Sequence, residues 1–302
     1  MGELAVVGAG PAGLAAGIQA HRMGLEVLVL ERDRPGGALR AAFHVENYPG
    51  FPGGLPGKTL ADRMARQAQA LGVPFHEAEV LRILPAEGGF LLETSGEKVR
   101  ARAVIAATGS RPRKLGIPGE DDLLGSLIFH RADQLLGSSL PGKVLVVGGG
   151  DAAFDQAALL ASRGVEVLLA HRSPRPRALP RIISTACSLG VRVLPGARLL
   201  SLEREGDGLV ASLLDSEGRK TAGVDALLPA VGKEPDFSLL PPEALHPGGG
   251  LPVDGRGRTG VPGLFAAGDL RRGLDRQAVI AAGDGMAAVL EAARFLEECR
   301  HV

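Results

Sequence analysis

Residues 4–33 read LAVVGAGPAGLAAGIQAHRMGLEVLVLERD, and residues 144–173 read VLVVGGGDAAFDQAALLASRGVEVLLAHRS. Adding 140 to a residue number, without a gap, carries Gly8 to Gly148, Gly10 to Gly150, Gly13 to Ala153, Gly24 to Gly164, Val27 to Val167 and Arg32 to Arg172. Each copy is a short β-rich apolar run, a glycine turn, a helical stretch and a second apolar run. That order predicts a βαβ unit. One GxGxxG in a chain with 44 glycines is a weak signal, whereas two in register between strand and helix are a strong one. The first glycine permits the tight turn, and the second lets backbone approach a pyrophosphate. The third position must be small so that helix packs on strand, and Ala153 meets that need as well as Gly13. The helix N-terminus then offers free N–H groups and the positive end of its dipole to the phosphates. Glycine-rich turns with no ligand are the alternative.

The copies differ where the second strand ends. The first ends in Glu31, whose carboxylate accepts hydrogen bonds from ribose hydroxyls and repels a 2′-phosphate. The second places His171 there, followed by Arg172, Arg175 and Arg177, a basic end that suits a 2′-phosphate. Solvated arginines in a proline-rich loop are the competing explanation. Two different dinucleotides are therefore expected: FAD on the first fold and NADPH, rather than NADH, on the second.

Residues 76–105 alternate short apolar runs with turns and lead into a buried strand ending at Ala107-Thr108-Gly109. A similar passage follows the second fold and ends at Ala230-Val231-Gly232. The proline- and charge-rich stretches after each, RPRKLGIPGE and KEPDFSLLPPE, are candidate crossings between domains. Later, VPGLFAAGDL runs a strand into Gly268-Asp269, and a long helical pattern begins near Arg276. Asp269 can accept from sugar-alcohol hydroxyls, or it can cap a turn. The helix dipole would stabilise negative charge placed at its start.

The 34 basic and 34 acidic side chains cancel, which argues against a broad electrostatic grip on nucleic acid or an anionic membrane. No apolar run approaches a membrane span, and the N-terminal apolar stretch lacks a basic leader, so a cytoplasmic protein is expected. Cys187 and Cys299 are the only cysteines, which disfavours structural zinc, iron–sulfur clusters and a disulfide framework; no metal is expected. Cys187 reads as a small core residue in a helical stretch, and Cys299 lies near a fraying end. Few lysines, a single asparagine (Asn47) and 21 prolines suit a thermophile or a GC-rich genome.

Eight segments together resemble the low-molecular-weight thioredoxin reductase family, a class of pyridine nucleotide–disulfide oxidoreductase. They are GAGPAG at 8–13, PGGAL at 35–39, VENYPGFP at 45–52, ATG at 107–109, VVGGGDAA at 146–153, HRSPRPRA at 171–178, FAAGD at 265–269 and RQAVIAAGDG at 276–285. The resemblance implies an α/β chain of two Rossmann-like dinucleotide-binding domains of the ββα type. The NADPH domain, at 112–244, would be inserted into an FAD domain built from 1–111 and 245–302. It also implies a homodimer joined mostly through the FAD domain. By the same resemblance, FAD would be held by Gly8, Gly10, Pro11, Ala12, Gly13, Glu31, Arg32, Gly37, Ala38, Leu39, Asn47, Val80, Ala107, Thr108, Gly109, Gly268, Asp269, Arg276, Gln277 and Ala278. NADPH would be held by Gly148, Gly150, Asp151, Ala152, Ala153, His171, Arg172, Arg177, Val231 and Gly232.

The departures from the family carry as much weight. Its CxxC lies shortly upstream of the second glycine motif, where an ungapped count places Arg131-Ala132-Asp133-Gln134, and residues 1–186 contain no cysteine. Thiolate chemistry through that site is thereby excluded, leaving Asp133 and His130 as candidate proton donors and Gln277 as a candidate for stabilising the reduced flavin. Ser173 replaces an arginine of the family's HRR, and Ala38 replaces a glutamine. The expected activity is hydride transfer from NADPH to FAD N5, then electron transfer to an unidentified external acceptor. A ferredoxin/flavodoxin–NADP reductase is one alternative; those enzymes carry a C-terminal extension with an aromatic residue, and this sequence stops at Val302. A non-catalytic redox sensor is another.

Overall fold

The structure is a computed structural model, and it describes residues 2–137, 139–273 and 275–300. Met1, Ser138, Leu274, His301 and Val302 lie outside the described residues, including both outer limits of the expected FAD domain. The chain forms two compact units, one of residues 1–40, 45–111 and 235–302, the other of residues 41–44 and 112–234.

The outer unit opens with β1 (Gly2–Val7), α1 (Pro11–Arg22) and β2 (Val27–Glu31), the first βαβ echo. Then come α2 (Gly57–Ala70), β3 (Phe75–Glu77), β4 (Val80–Ala86), β5 (Gly89–Thr94), β6 (Val99–Ala106) and β7 (Ser110–Pro112). The inner unit contributes α3 (Glu120–Leu123), β8 (Lys143–Val147), α4 (Asp151–Ala161), β9 (Glu166–His171), α5 (Pro180–Ser188) and β10 (Arg192–Pro195). It continues through β11 (Arg198–Glu205), β12 (Gly208–Asp215), β13 (Gly218–Val224), β14 (Ala226–Pro229) and β15 (Lys233–Pro235). The chain returns to the outer unit with β16 (Leu264–Ala266) and α6 (Ala278–Glu298). The two crossing strands, β7 and β15, pair with each other.

In the outer unit the sheet order is β3-β2-β1-β6-β5-β4, with β16 on β6. Strands β3, β2, β1, β6 and β16 run parallel, and β4 and β5 are antiparallel. Parallel strands are buried on both faces, which is why β1 and β6 read as unbroken apolar runs. Val6, Ala103 and Ile105 are fully buried, and α1 and α6 cover one face through Leu14, Ala16, Ala288 and Val289. Glycine sets how closely these helices approach: a Cβ on Gly285 of α6 would come within 2.0 Å of the Ala12 carbonyl oxygen.

The inner unit repeats the plan with a parallel sheet, β10-β9-β8-β14, and a separate antiparallel sheet, β11-β12-β13. Phe154 of α4 is fully buried among Val144, Val146, Leu160 and Leu169. The compact units depart from the boundaries read in the sequence at two places. Residues 235–244 belong with the outer unit, because Leu240 and Ala244 are buried in its core and the Leu239 carbonyl accepts from Ile83 N–H at 2.8 Å. Residues 41–44 belong with the inner unit, where Phe43 packs on its core. No helix among the described residues is long and apolar enough to cross a membrane.

Candidate functional site

In the outer unit, β1 delivers Gly8 to a turn with φ +99°, and a Cβ there would sit 2.6 Å from the Ala107 carbonyl oxygen. A Cβ on Gly13 would lie 1.8 Å from the Gly8 carbonyl oxygen, so only glycine lets α1 start this close to the strand. Gly10 differs, because a Cβ there would meet nothing within 4 Å. Gly10 is the N-cap of α1 and makes no side-chain cap, and Pro11 follows at the first helical position. Open space therefore stands over uncapped N–H groups of Ala12 and Gly13, the environment a pyrophosphate requires.

The other residues expected around FAD close on this turn. Glu31 accepts from Ala9 N–H at 2.7 Å and from Asp33 N–H at 3.1 Å, fixing its carboxylate at the end of β2. Arg32 beside it pairs with Glu79 at 3.1 Å. The 3-10 turn Gly37–Ala41 carries Ala38 and buried Leu39; a Cβ on Gly37 would come 3.2 Å from Gly10 Cα. Val80 is buried at the start of β4. Thr108, before Gly109, keeps its hydroxyl buried without a hydrogen-bond partner. The 3-10 turn Gly268–Leu270 brings Gly268 against Ala12, and Asp269 accepts from the Ser110 hydroxyl at 3.3 Å. Finally, Asn47 Nδ2 donates to Gln277 Oε1 at 2.8 Å, at the N-cap of α6 between Arg276 and Ala278. The open cradle at Gly10, the orphaned Thr108 hydroxyl and a second helix N-terminus fit the polar groups of FAD.

The inner unit rebuilds the same turn. Gly148 has φ +153°, and a Cβ there would lie 2.2 Å from the Ala230 carbonyl oxygen, matching Gly8 against Ala107. Gly150 again faces open space, with Asp151, exposed Ala152 and buried Ala153 opening α4. Asp151 is engaged, accepting from Leu179 N–H at 2.8 Å. Gly149 O accepts from Arg177 N–H at 2.7 Å, which folds the basic loop back over the turn. Arg172 and Arg177 are exposed. His171 is buried, with neither ring nitrogen hydrogen-bonded, and lies against Phe154 with ring centroids 6.3 Å apart. Val231 is exposed, and Gly232 O accepts from Arg113 N–H at 3.0 Å. The cradle at Gly150 and the two orphaned nitrogens of His171 fit a second dinucleotide.

At 131–134 the chain makes the 3-10 turn Ala132–Leu135. Asp133 is clasped by the Arg131 guanidinium at 2.9 and 2.5 Å. Burial pushes His130 below the ordinary histidine value, opposed in part by the Glu120 carboxylate, and its Nδ1 has no hydrogen-bond partner. A neutral imidazole is a poor proton donor. Cys187 overturns its reading as a core residue: it is exposed. Ala186 takes the buried position on α5, and the next residue is turned about 100° around the helix, towards solvent. Cys299, also exposed, ends α6, its carbonyl accepting from Arg102 at 3.2 Å.

Three groups escaped the sequence reading. Ser110 closes the meander passage, with no role read for it in the sequence. Gln156 ties α4 to the 131–134 turn by accepting from Ala132 N–H at 2.9 Å. Asp155 accepts from Phe43 N–H at 2.8 Å and His44 N–H at 3.4 Å, yet burial raises its carboxyl to about 6. Their partners are far away in sequence, and no local motif marks them.

A family model described as "Pyridine nucleotide-disulphide oxidoreductase" matches residues 2–285. A thioredoxin reductase of Treponema pallidum is 34% identical over 98% of this chain and 97% of its own. A bifunctional thioredoxin reductase/thioredoxin of Mycobacterium leprae is 35% identical over 98% of this chain, which spans 66% of that protein's length. The crystal structure of Lactococcus lactis thioredoxin reductase superposes with a TM-score of 0.88 at 28% identity, covering 99% of this chain and 100% of its own. The chain thus belongs to the pyridine nucleotide–disulphide oxidoreductases as a thioredoxin-reductase-like NAD(P)H flavoprotein oxidoreductase, in a family that uses FAD and NADPH.

Proposed function

We propose that this protein is an NADPH-dependent flavoprotein reductase that works without an internal dithiol and passes electrons directly from its flavin to an external acceptor. The observation that carries this is the pairing of two complete dinucleotide turns with a chain that has no cysteine before Cys187. The chemistry that bound FAD would supply is hydride uptake from NADPH and electron release to the acceptor. The residues around it do the positioning. The α1 N-terminus neutralises the pyrophosphate, Glu31 holds the ribose end, and Asp269 receives the ribityl hydroxyls. Gln277, oriented by Asn47, and the N-terminus of α6 stabilise negative charge on the reduced ring. Arg172 and Arg177 bind the 2′-phosphate. Neither His130 nor Asp133 is needed for proton transfer to a thiol, because no such thiol exists in that segment.

We place the protein in the cytoplasm as a homodimer. Val279, Met286 and Leu290 of α6 are each more than a third exposed and share one helix face, an apolar stripe that a second copy would cover. The test of function is steady-state NADPH oxidation with thioredoxin plus DTNB, and in parallel with ferredoxin, flavodoxin and benzoquinone. Turnover with a one-electron carrier or quinone and none with thioredoxin is expected. Turnover with thioredoxin alone would overturn the reading. A ferredoxin/flavodoxin reductase differs from the main reading only in which of these acceptors is fastest, and a redox sensor would show none.

A further inference from the structure

On the outer unit, an open cleft of about 480 Å³ lies between the 34–40 loop and α2, lined by Arg34, Pro35, Arg40, Asp62, Ala65, Arg66 and Gln69. Its charge is unbalanced: three guanidinium groups face one carboxylate, in a protein whose total charge is zero. That carboxylate is already committed. Asp62 accepts from Arg40 at 2.7 Å and from Lys58 at 2.9 Å, and these bonds hold its carboxyl below the ordinary aspartate value. Arg40 is anchored, its side chain only 11% exposed and also donating to the Pro35 carbonyl at 2.9 Å. Arg66 donates through Nε to the Asp62 carbonyl at 3.4 Å, and Asp33 lines a different cleft with Glu77 and Glu79. Arg34 and Arg66 therefore have no carboxylate partner among the described residues.

The walls of the cleft are fixed. Gly36 N–H donates to the Ala9 carbonyl at 2.7 Å, and a Cβ on Gly36 would come 2.5 Å from Ala61 Cβ of α2. The loop thus turns one side to the FAD glycine turn and the other to this cleft, so the two sites are separate. We propose that the cleft is a binding site for a phosphate-bearing small molecule carrying at least two negative charges. Guanidinium forks match phosphate oxygens in pairs, and a dianion balances the surplus charge.

The probe is inorganic pyrophosphate, titrated calorimetrically into FAD-loaded protein saturated with NADP+, which keeps both dinucleotide folds occupied. One site with a Kd below about 1 mM is expected in wild type. Arg34→Ala/Arg66→Ala should weaken binding at least about tenfold, while Arg256→Ala/Arg294→Ala, at arginines grouped around Glu291, should not change it. Absence of binding by wild type, equal binding by the Arg34/Arg66 variant, or equal loss in the control variant would each overturn the proposal. Binding abolished by raising the sodium chloride concentration to about 0.15 M would likewise reduce it to diffuse attraction and overturn it.

Discussion

Single atoms decide the two cradles. A methyl group at position 13 would stand 1.8 Å from the Gly8 carbonyl oxygen, so Gly13→Ala must push α1 off the sheet. The expected outcome is about 1–3 kcal/mol of destabilisation together with loss of bound FAD, read by thermal melting and by flavin absorbance of the purified protein. Arg172→Ala should raise KM for NADPH at least about tenfold with little change for NADH, because one charge-assisted contact contributes roughly 1.5–3 kcal/mol. Equal effects on both nucleotides would remove the 2′-phosphate assignment. Asp155 makes a prediction with a sign. Its folded pKa, about 6, is raised above the ordinary 3.8, so the native state holds the extra proton and its contribution falls as pH rises from about 4 to about 6. The span corresponds to at most about 3 kcal/mol. Asp155→Asn should flatten the wild-type decline in stability over that window in urea unfolding, and an unchanged pH slope would refute the assignment. Gly8, Gly13 and Glu31 were legible in the sequence because their chemistry is local. Asp155 was not, since the N–H groups it accepts from, on Phe43 and His44, lie more than a hundred positions away.

Helices and strands followed the periodic signals closely where those were long. The two βαβ units and the meander fell where apolar runs and glycine turns placed them. Short elements misled. The nine residues of α5 hold one fully buried side chain, Ala186, so the pattern around Cys187 could not show which face is turned inward. Residues 235–244 look like a linker by composition, yet Leu240 and Ala244 complete the outer core. A packing contact made by a proline-rich segment leaves no periodic trace. At the scale of α4, Phe154 carries the inner core: it is fully buried and touches His171. Phe154→Ala should lower stability by about 3–5 kcal/mol, seen as a large fall in melting temperature, and should weaken NADPH binding as His171 loses its support. A variant that melts with wild type would show that the core has collapsed around the cavity.

Across the whole molecule, the sequence repeats one ligand-binding device and omits one reactive pair. The homodimer reading rests on the apolar stripe of α6: Met286→Glu with Leu290→Glu should convert the dimer to monomer by light scattering, and an unchanged mass would place the interface elsewhere. The repeat was readable because two glycine turns at an offset of 140 residues are independent of distant contacts. The acceptor was not, because it is defined by the surface left open to a partner rather than by any motif. The direct-transfer account has one consequence that every alternative with an internal disulfide lacks: the flavin is the only electron store in the protein. Anaerobic titration with NADPH should therefore bleach the flavin band completely with about one equivalent per flavin. A requirement for about two equivalents, as a flavin in series with a dithiol demands, or no bleaching at all, would contradict it.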